Sequence, residues 1–176
     1  MYPFLRLFIF CTRAWFAPKA EPEEEGEISF YIRPWDIDVF FELNNGRILT
    51  LFDLGRFELG IRCGLMKTLS QKKWGLAVAG STIQYRKRVR MFQKVTIRTK
   101  FIGRDEKWIY AAQSMWVKGK PTSAALFRTC ITNANGVVPT DEVLAAMGKT
   151  EFKNKFPDWA KEWEVFDKNR PWPPEF

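Results

Sequence analysis

The stretch that most limits what this chain can become is residues 48–61, where Ile48, Leu51, Phe52, Gly55 and Leu59 recur at helical spacing. Leu49, Leu54, Phe57 and Ile61 fill most of the remaining circumference. A surface helix needs one apolar stripe; a helix apolar nearly all round has to be enclosed by the rest of its chain. Immediately before it, R-P-W-D-I-D-V-F-F-E-L-N-N-G gathers Asp36, Asp38, Glu42, Asn44 and Asn45 into a polar loop. Asn44 or Asn45 is suited to cap the helix, and Cys63-Gly64 to end it, giving about 20 residues or roughly 30 Å. Gly46, Gly55 and Gly60 each cost about 1 kcal/mol inside a helix, which is tolerable where other backbone approaches closely. A sheet wrapped around the helix would account for them.

The 176 residues, 46% hydrophobic and 16% aromatic, are enough for one domain with a single core. The net charge of +8 is unevenly placed: residues 1–44 hold 4 Lys/Arg against 8 Asp/Glu, so the later part carries the excess of positive charge. Three widely spaced cysteines, Cys11, Cys63 and Cys130, indicate neither a disulfide framework nor a zinc cluster, and no metal is expected. The chain has no histidine. Histidine-dependent nucleophile systems and general bases are therefore excluded, and carboxylates, amides or backbone dipoles must carry any acyl or phosphoryl chemistry.

Residues 1–17 are nearly all apolar, with Arg6 and Arg13 on one face if helical. They are too few to span a bilayer and lack the features of a signal peptide. Two readings stand: an interfacial helix whose arginines meet lipid head groups, or an arm packed on its own domain or a partner. The acidic linker K-A-E-P-E-E-E-G-E follows. Residues 1–26 are thus read as arm and linker, 27–149 as the main domain, and 150–176 as an aromatic tail. Residues 27–35 alternate as a first strand, and 74–85, 94–103, 107–117 and 122–133 as four more, joined by turns of hairpin length into an antiparallel meander. Residues 141–147 form a short helix. In the tail, Phe156, Trp159, Trp163 and Phe166 make a stripe expected to pack over a core.

One strand, a polar turn, a long enclosed helix and four antiparallel strands is the element order of the hot-dog fold, an α+β architecture. The loop D-x-D-x-x-x-E-L-N-N-G resembles the D-x-D-x-x-x-H-x-N-N signature of acyl-CoA thioesterases of the 4-hydroxybenzoyl-CoA thioesterase-like superfamily. The resemblance implies an acyl-CoA thioesterase acting on a fatty-acyl or aryl-CoA. Asp38 would be its catalytic carboxylate, and the helix N-terminus near Asn45 and Gly46 would polarise the thioester carbonyl. Glu42 stands where many relatives have histidine. A non-catalytic acyl-CoA- or lipid-binding protein is the alternative.

Thioester hydrolysis needs a carboxylate that attacks or activates water, and donors where negative charge develops. Asp38 fits the first role, the unpaired amides of Asn45 and Gly46 the second, and Glu42 and Asn44 would orient water or substrate. If Glu42 and Asp38 both face the pocket they form an acid–base pair; otherwise such acids merely favour the helix dipole. Glu58 is expected at the surface or an interface. Arg86, Lys87, Arg88 and Arg90, in a basic run without acids, would hold the phosphates of coenzyme A, which enters as part of the substrate and not as a cofactor. A solvated basic edge is the plainer reading. No nucleic-acid partner is expected, because no ribonucleoprotein aromatic motif accompanies the run. Exposed sheet edges suggest at least a homodimer. The expected setting is cytoplasmic, with weak salt-sensitive membrane association.

Overall fold

The computed structural model describes residues 2–152 and 156–174. Chain order is α1 (Phe4–Phe16), β1 (Gly26–Tyr31), a 3-10 turn (Pro34–Asp36), α2 (Asn45–Arg62), α3 (Leu65–Lys72), β2 (Gly75–Tyr85), β3 (Lys94–Arg104), β4 (Ile109–Val117), β5 (Lys120–Asn133), β6 (Gly136–Val138), α4 (Thr140–Ala146) and α5 (Asp158–Lys168). The sheet is antiparallel, ordered β1-β3-β4-β5-β2, with β6 added to β5.

α2 is the enclosed helix. Leu51, Phe52, Leu54 and Leu59 are fully buried against Val95, Ile97, Ala111 and Met115 from the sheet. Gly55 is where the sheet comes closest: a methyl group there would overlap Thr99 Oγ1 and lie 3.2 Å from Ile97 Cγ2. The other two helix glycines do not face the sheet. Gly60 meets Met66 of α3, and Gly46 meets the side chain of its own cap, Asn44.

Two expectations need correction, and one element was not anticipated. The four later strands are not a meander: β3, β4 and β5 are, but β2 pairs with β5 at the far edge. Residues 86–93 therefore cross between the two sides of the sheet rather than turn a hairpin. α3, between the expected helix stop at Cys63-Gly64 and the strand from residue 74, has no counterpart among the expected elements; Gly64, at φ +85°, breaks the helix axis, and Leu65, Thr68 and Leu69 then bury one face. The aromatic stripe splits. Phe156 stacks on Tyr110 at 4.4 Å and Trp163 joins the small cluster beneath α5, whereas Trp159 and Phe166 point to solvent.

α1 packs along α2, burying Phe10 and Ala14. Arg6 is not available to lipid: it donates to the Tyr31 carbonyl at 3.0 Å, pairs with Asp36 at 2.7 Å and lies over the Phe30 ring. The outer face, with Phe4, Leu5, Phe8, Trp15 and Phe16, stays exposed. No helix among the described residues is long and apolar enough to cross a membrane.

Candidate active site

The loop between β1 and α2 separates the acids that the sequence placed together. Asp36 is buried; it pairs with Arg6 and with Arg47 at 3.3 Å, and accepts from the Arg33 amide at 2.9 Å. It fastens α1, the 3-10 turn and α2 to one another. Asp38 is half-buried, and its Oδ1 accepts from the amides of Phe40 (2.9 Å) and Glu42 (3.4 Å). These bonds hold the loop closed. Glu42 turns its carboxylate to Arg88 at 2.9 Å, so Asp38 and Glu42 meet through backbone and not as a carboxylate pair.

Asn44 is the cap of α2: its Oδ1 accepts from the Arg47 amide at 3.1 Å, and its carbonyl from Ile48 at 3.0 Å. With those two donors taken, the amides of Asn45 and Gly46 are the ones in the first turn that bond to no acceptor among the described residues, and they carry the positive end of the helix dipole. Cavities flank this terminus on both sides. One, of about 210 Å³, brings together Glu42, Asn45, Tyr85, Arg86, Lys87 and Arg88. The other, of about 390 Å³, lies on the α1 side between Tyr2, Trp35, Asp36, Asn44 and Arg47. The crossover places the basic run here: the amides of Arg86 and Lys87 donate to the Thr122 carbonyl, and Leu43 donates to that of Val89. Arg90 sits beside the first cavity, bridged through backbone to Glu42, and does not line it.

A second polar cluster escaped the sequence reading. Asp53, eight residues into α2, pairs with Arg56 and accepts from the Tyr2 hydroxyl. The Arg56 guanidinium is buried over the Phe127 ring at 3.7 Å and donates to Gln113 Oε1 at 2.5 Å. Gln113 in turn donates to the Phe52 carbonyl and to Thr99 Oγ1 at 2.8 and 2.7 Å. Burial pushes the Asp53 carboxyl above the ordinary aspartate value even though Arg56 opposes it. Asp53 and Arg56 border a cavity of about 210 Å³ walled by Phe57, Leu65, Met66, Leu76, Val78 and Phe101. The signal available in sequence was an acid and an arginine three apart on a helix otherwise apolar all round, where charge is costly unless paired.

Glu58 is buried rather than exposed. It pairs with Arg62 at 3.2 Å, leaves Oε2 without a hydrogen-bond partner among the described residues, and lies beside Gly26 of β1.

An antiparallel sheet curled around one long helix, with that helix opening among carboxylates and amides, defines a hot-dog domain of the thioesterase type. The chain belongs to the thioesterase-like superfamily, whose family model matches residues 32–174. It is 29% identical to Protein THEM6 of Xenopus laevis over 142 residues, covering 80% of this chain and 67% of that one. Against Protein THEM6 of Drosophila melanogaster the figures are 30% over 131 residues, 73% and 66%. The matched stretches thus take in about two thirds of those relatives' length. Among solved structures, the probable thioesterase YbaW of Escherichia coli superposes with a TM-score of 0.63 at 17% identity, covering 70% of this chain and 99% of that one. Protein SAV2348 of Staphylococcus aureus in complex with CoA does so at 0.64 and 11%, covering 81% and 95%.

Proposed function

We propose that the protein hydrolyses acyl-CoA thioesters at the N-terminus of α2. The observation that carries this reading is the cavity at that terminus, where Glu42 and Asn45 share walls with Arg86, Lys87 and Arg88, more than 40 residues further along the chain. The Asn45 and Gly46 amides would stabilise the developing oxyanion, and the arginines and lysine would bind the coenzyme A phosphates. CoA in the related Staphylococcus aureus structure supports this choice of ligand.

Two carboxylates compete for the role of base or nucleophile. Asp38 is the one the family motif designates. Asp53 has the chemistry of a base in an apolar wall, with a raised pKa, but it lies about 12 Å along the helix from the Asn45 amide at 1.5 Å per residue. It could serve a thioester held by those amides only if they belonged to a partner copy. A second reading, acyl-CoA binding without turnover, is favoured by the Glu42–Arg88 pair and by the loop amides on Asp38, which occupy the groups a hydrolase would use.

Free-thiol release from a panel of acyl-CoAs, measured for the wild type, Asp38→Asn and Asp53→Asn, decides among them. Loss of at least about 100-fold in kcat in one variant with KM little changed identifies the carboxylate. If that residue is Asp53, kcat/KM of the wild type falls as pH drops through a value above 3.8. Saturable binding without thiol release by the wild type would sink the enzymatic reading.

A further inference from the structure

Two tight turns stand side by side where α2 begins, and each holds an aromatic residue in the left-handed backbone region. Phe41 has φ +59° and Phe92 φ +64°. Residues with a bulky side chain rarely adopt this conformation, and it persists only where surrounding bonds impose it. They do so here. Asp38 N donates to the Glu42 carbonyl at 2.8 Å and Phe41 N to that of Asp38 at 3.1 Å; Phe92 N donates to the Ile32 carbonyl at 2.9 Å and Arg90 N to Gln93 Oε1 at 2.8 Å. A backbone bridge between Glu42 and Arg90 ties the turns together.

This bonding yields no packing for the rings. Val39, Phe40 and Phe41 are 84%, 76% and 75% exposed, and Phe92 60%. Large apolar side chains held in water by well-bonded turns mark a surface that meets something apolar. The collar around them decides what. Arg86, Lys87, Arg88 and Arg90 are all exposed, and a second copy docked tip to tip would set this run against itself. An anionic surface complements it. Aromatic tips ringed by arginine and lysine suit the boundary between lipid chains and head groups, where the rings leave water and the cations reach phosphate.

We propose that these two turns dock the protein on an anionic lipid membrane, with Phe40, Phe41 and Phe92 entering the head-group layer and the basic collar on lipid phosphates. The cavity shared by Glu42 and Arg88 then opens at the lipid surface, where long-chain acyl substrates partition. The docking surface does not depend on turnover, so failure of the thioesterase reading leaves it standing and the reverse also holds.

The test is flotation of the full chain, without added CoA, on phosphatidylcholine vesicles and on phosphatidylcholine–phosphatidylserine vesicles, with light scattering alongside. The wild type should bind the anionic vesicles and be released by salt. Phe40→Ser/Phe41→Ser, Phe92→Ser and Arg88→Glu/Arg90→Glu should each weaken partitioning by at least about tenfold with the particle mass unchanged. The Phe92 and charge-reversal variants leave the first turn's apolar tip intact and carry the test if the double Phe variant does not fold. Absence of wild-type binding overturns the proposal. So does wild-type binding by the turn variants while Leu5→Ser/Phe8→Ser on α1 loses it, or a change in particle mass in the turn variants without a change in vesicle binding, which would assign the tips to a second copy.

Discussion

Asp36 and Asp38, two residues apart, have opposite fates, and the difference lies in what crosses them. Asp36 meets Arg6 from α1 and Arg47 from α2 and vanishes into the interior, while Asp38, among the described residues, bonds only its own loop. Motif spacing marks both as important and cannot distinguish a fastener from a reactant. Glu58 makes the same point with a measurable consequence. Burial raises its carboxyl above the ordinary 4.5 and outweighs Arg62. The folded state therefore holds the proton more tightly than the unfolded state. Stability from this site is greatest below 4.5 and declines as pH rises through the raised folded value. Glu58→Gln should remove that slope: melting temperatures of the wild type should fall relative to the variant as pH rises above 4.5, with no further divergence once Glu58 is fully ionised. A gap independent of pH would contradict the sign.

Among the elements, α2 is the best anticipated, in both bounds and enclosure, because a helix apolar all round admits few alternatives. Its cap has two roles that one substitution separates. Asn44→Ala should cost about 1 kcal/mol by urea denaturation, the usual loss when an N-cap oxygen is removed. If the Asn45 and Gly46 amides act on substrate, loosening the first turn should also lower kcat more than it raises KM; unchanged denaturation would show the cap to be redundant. α1 has apolar residues on both faces, and periodicity alone left its packing and lipid-facing readings open. The structure shows its inner face is packed, with Phe10 and Ala14 buried and Arg6 on Asp36. α5 behaves similarly at the other end of the chain. Of the aromatic stripe at spacings of three and four, the members on α5 divide: Trp163 is held down near Arg128, which lies over the rings of both Trp108 and Trp163 and pairs with Asp167 at 2.9 Å, while Trp159 and Phe166 are exposed.

For the whole molecule, the sheet ends in β2, an 11-residue edge whose only strand partner among the described residues is β5. Leu76 and Val78 are exposed there, and neither lysine nor proline interrupts residues 75–85. A bulge after Val78 is its one irregularity. Long edges of this kind pair with another copy unless they are blunted, and a twofold axis through β2 would extend both sheets. The expected particle is a homodimer by light scattering at micromolar concentration. Val78→Lys, which sets two charges near that axis, should give a folded monomer. A wild-type monomer with full activity would falsify the dimer and also exclude Asp53 as a catalytic group acting with a partner's amides.

Residues 44–62 could be read as a capped, enclosed helix, and the later segments as strands, because those signals repeat within a few residues and depend on local backbone geometry. The hot-dog fold follows from their order. Strand neighbours were another matter: β2 and β3 follow one another in the chain yet stand at different places in the sheet, and hairpin-length spacing cannot reveal that the link between them is a crossover. That crossover alone carries Arg86, Lys87 and Arg88 to the start of α2. Likewise the Arg56–Gln113 contact joins residues 57 apart. Pairings over such distances are selected by the closure of the sheet around the helix, which depends on every element at once, so tertiary structure decided which carboxylates are buried, which bond their own loop and which border a cavity.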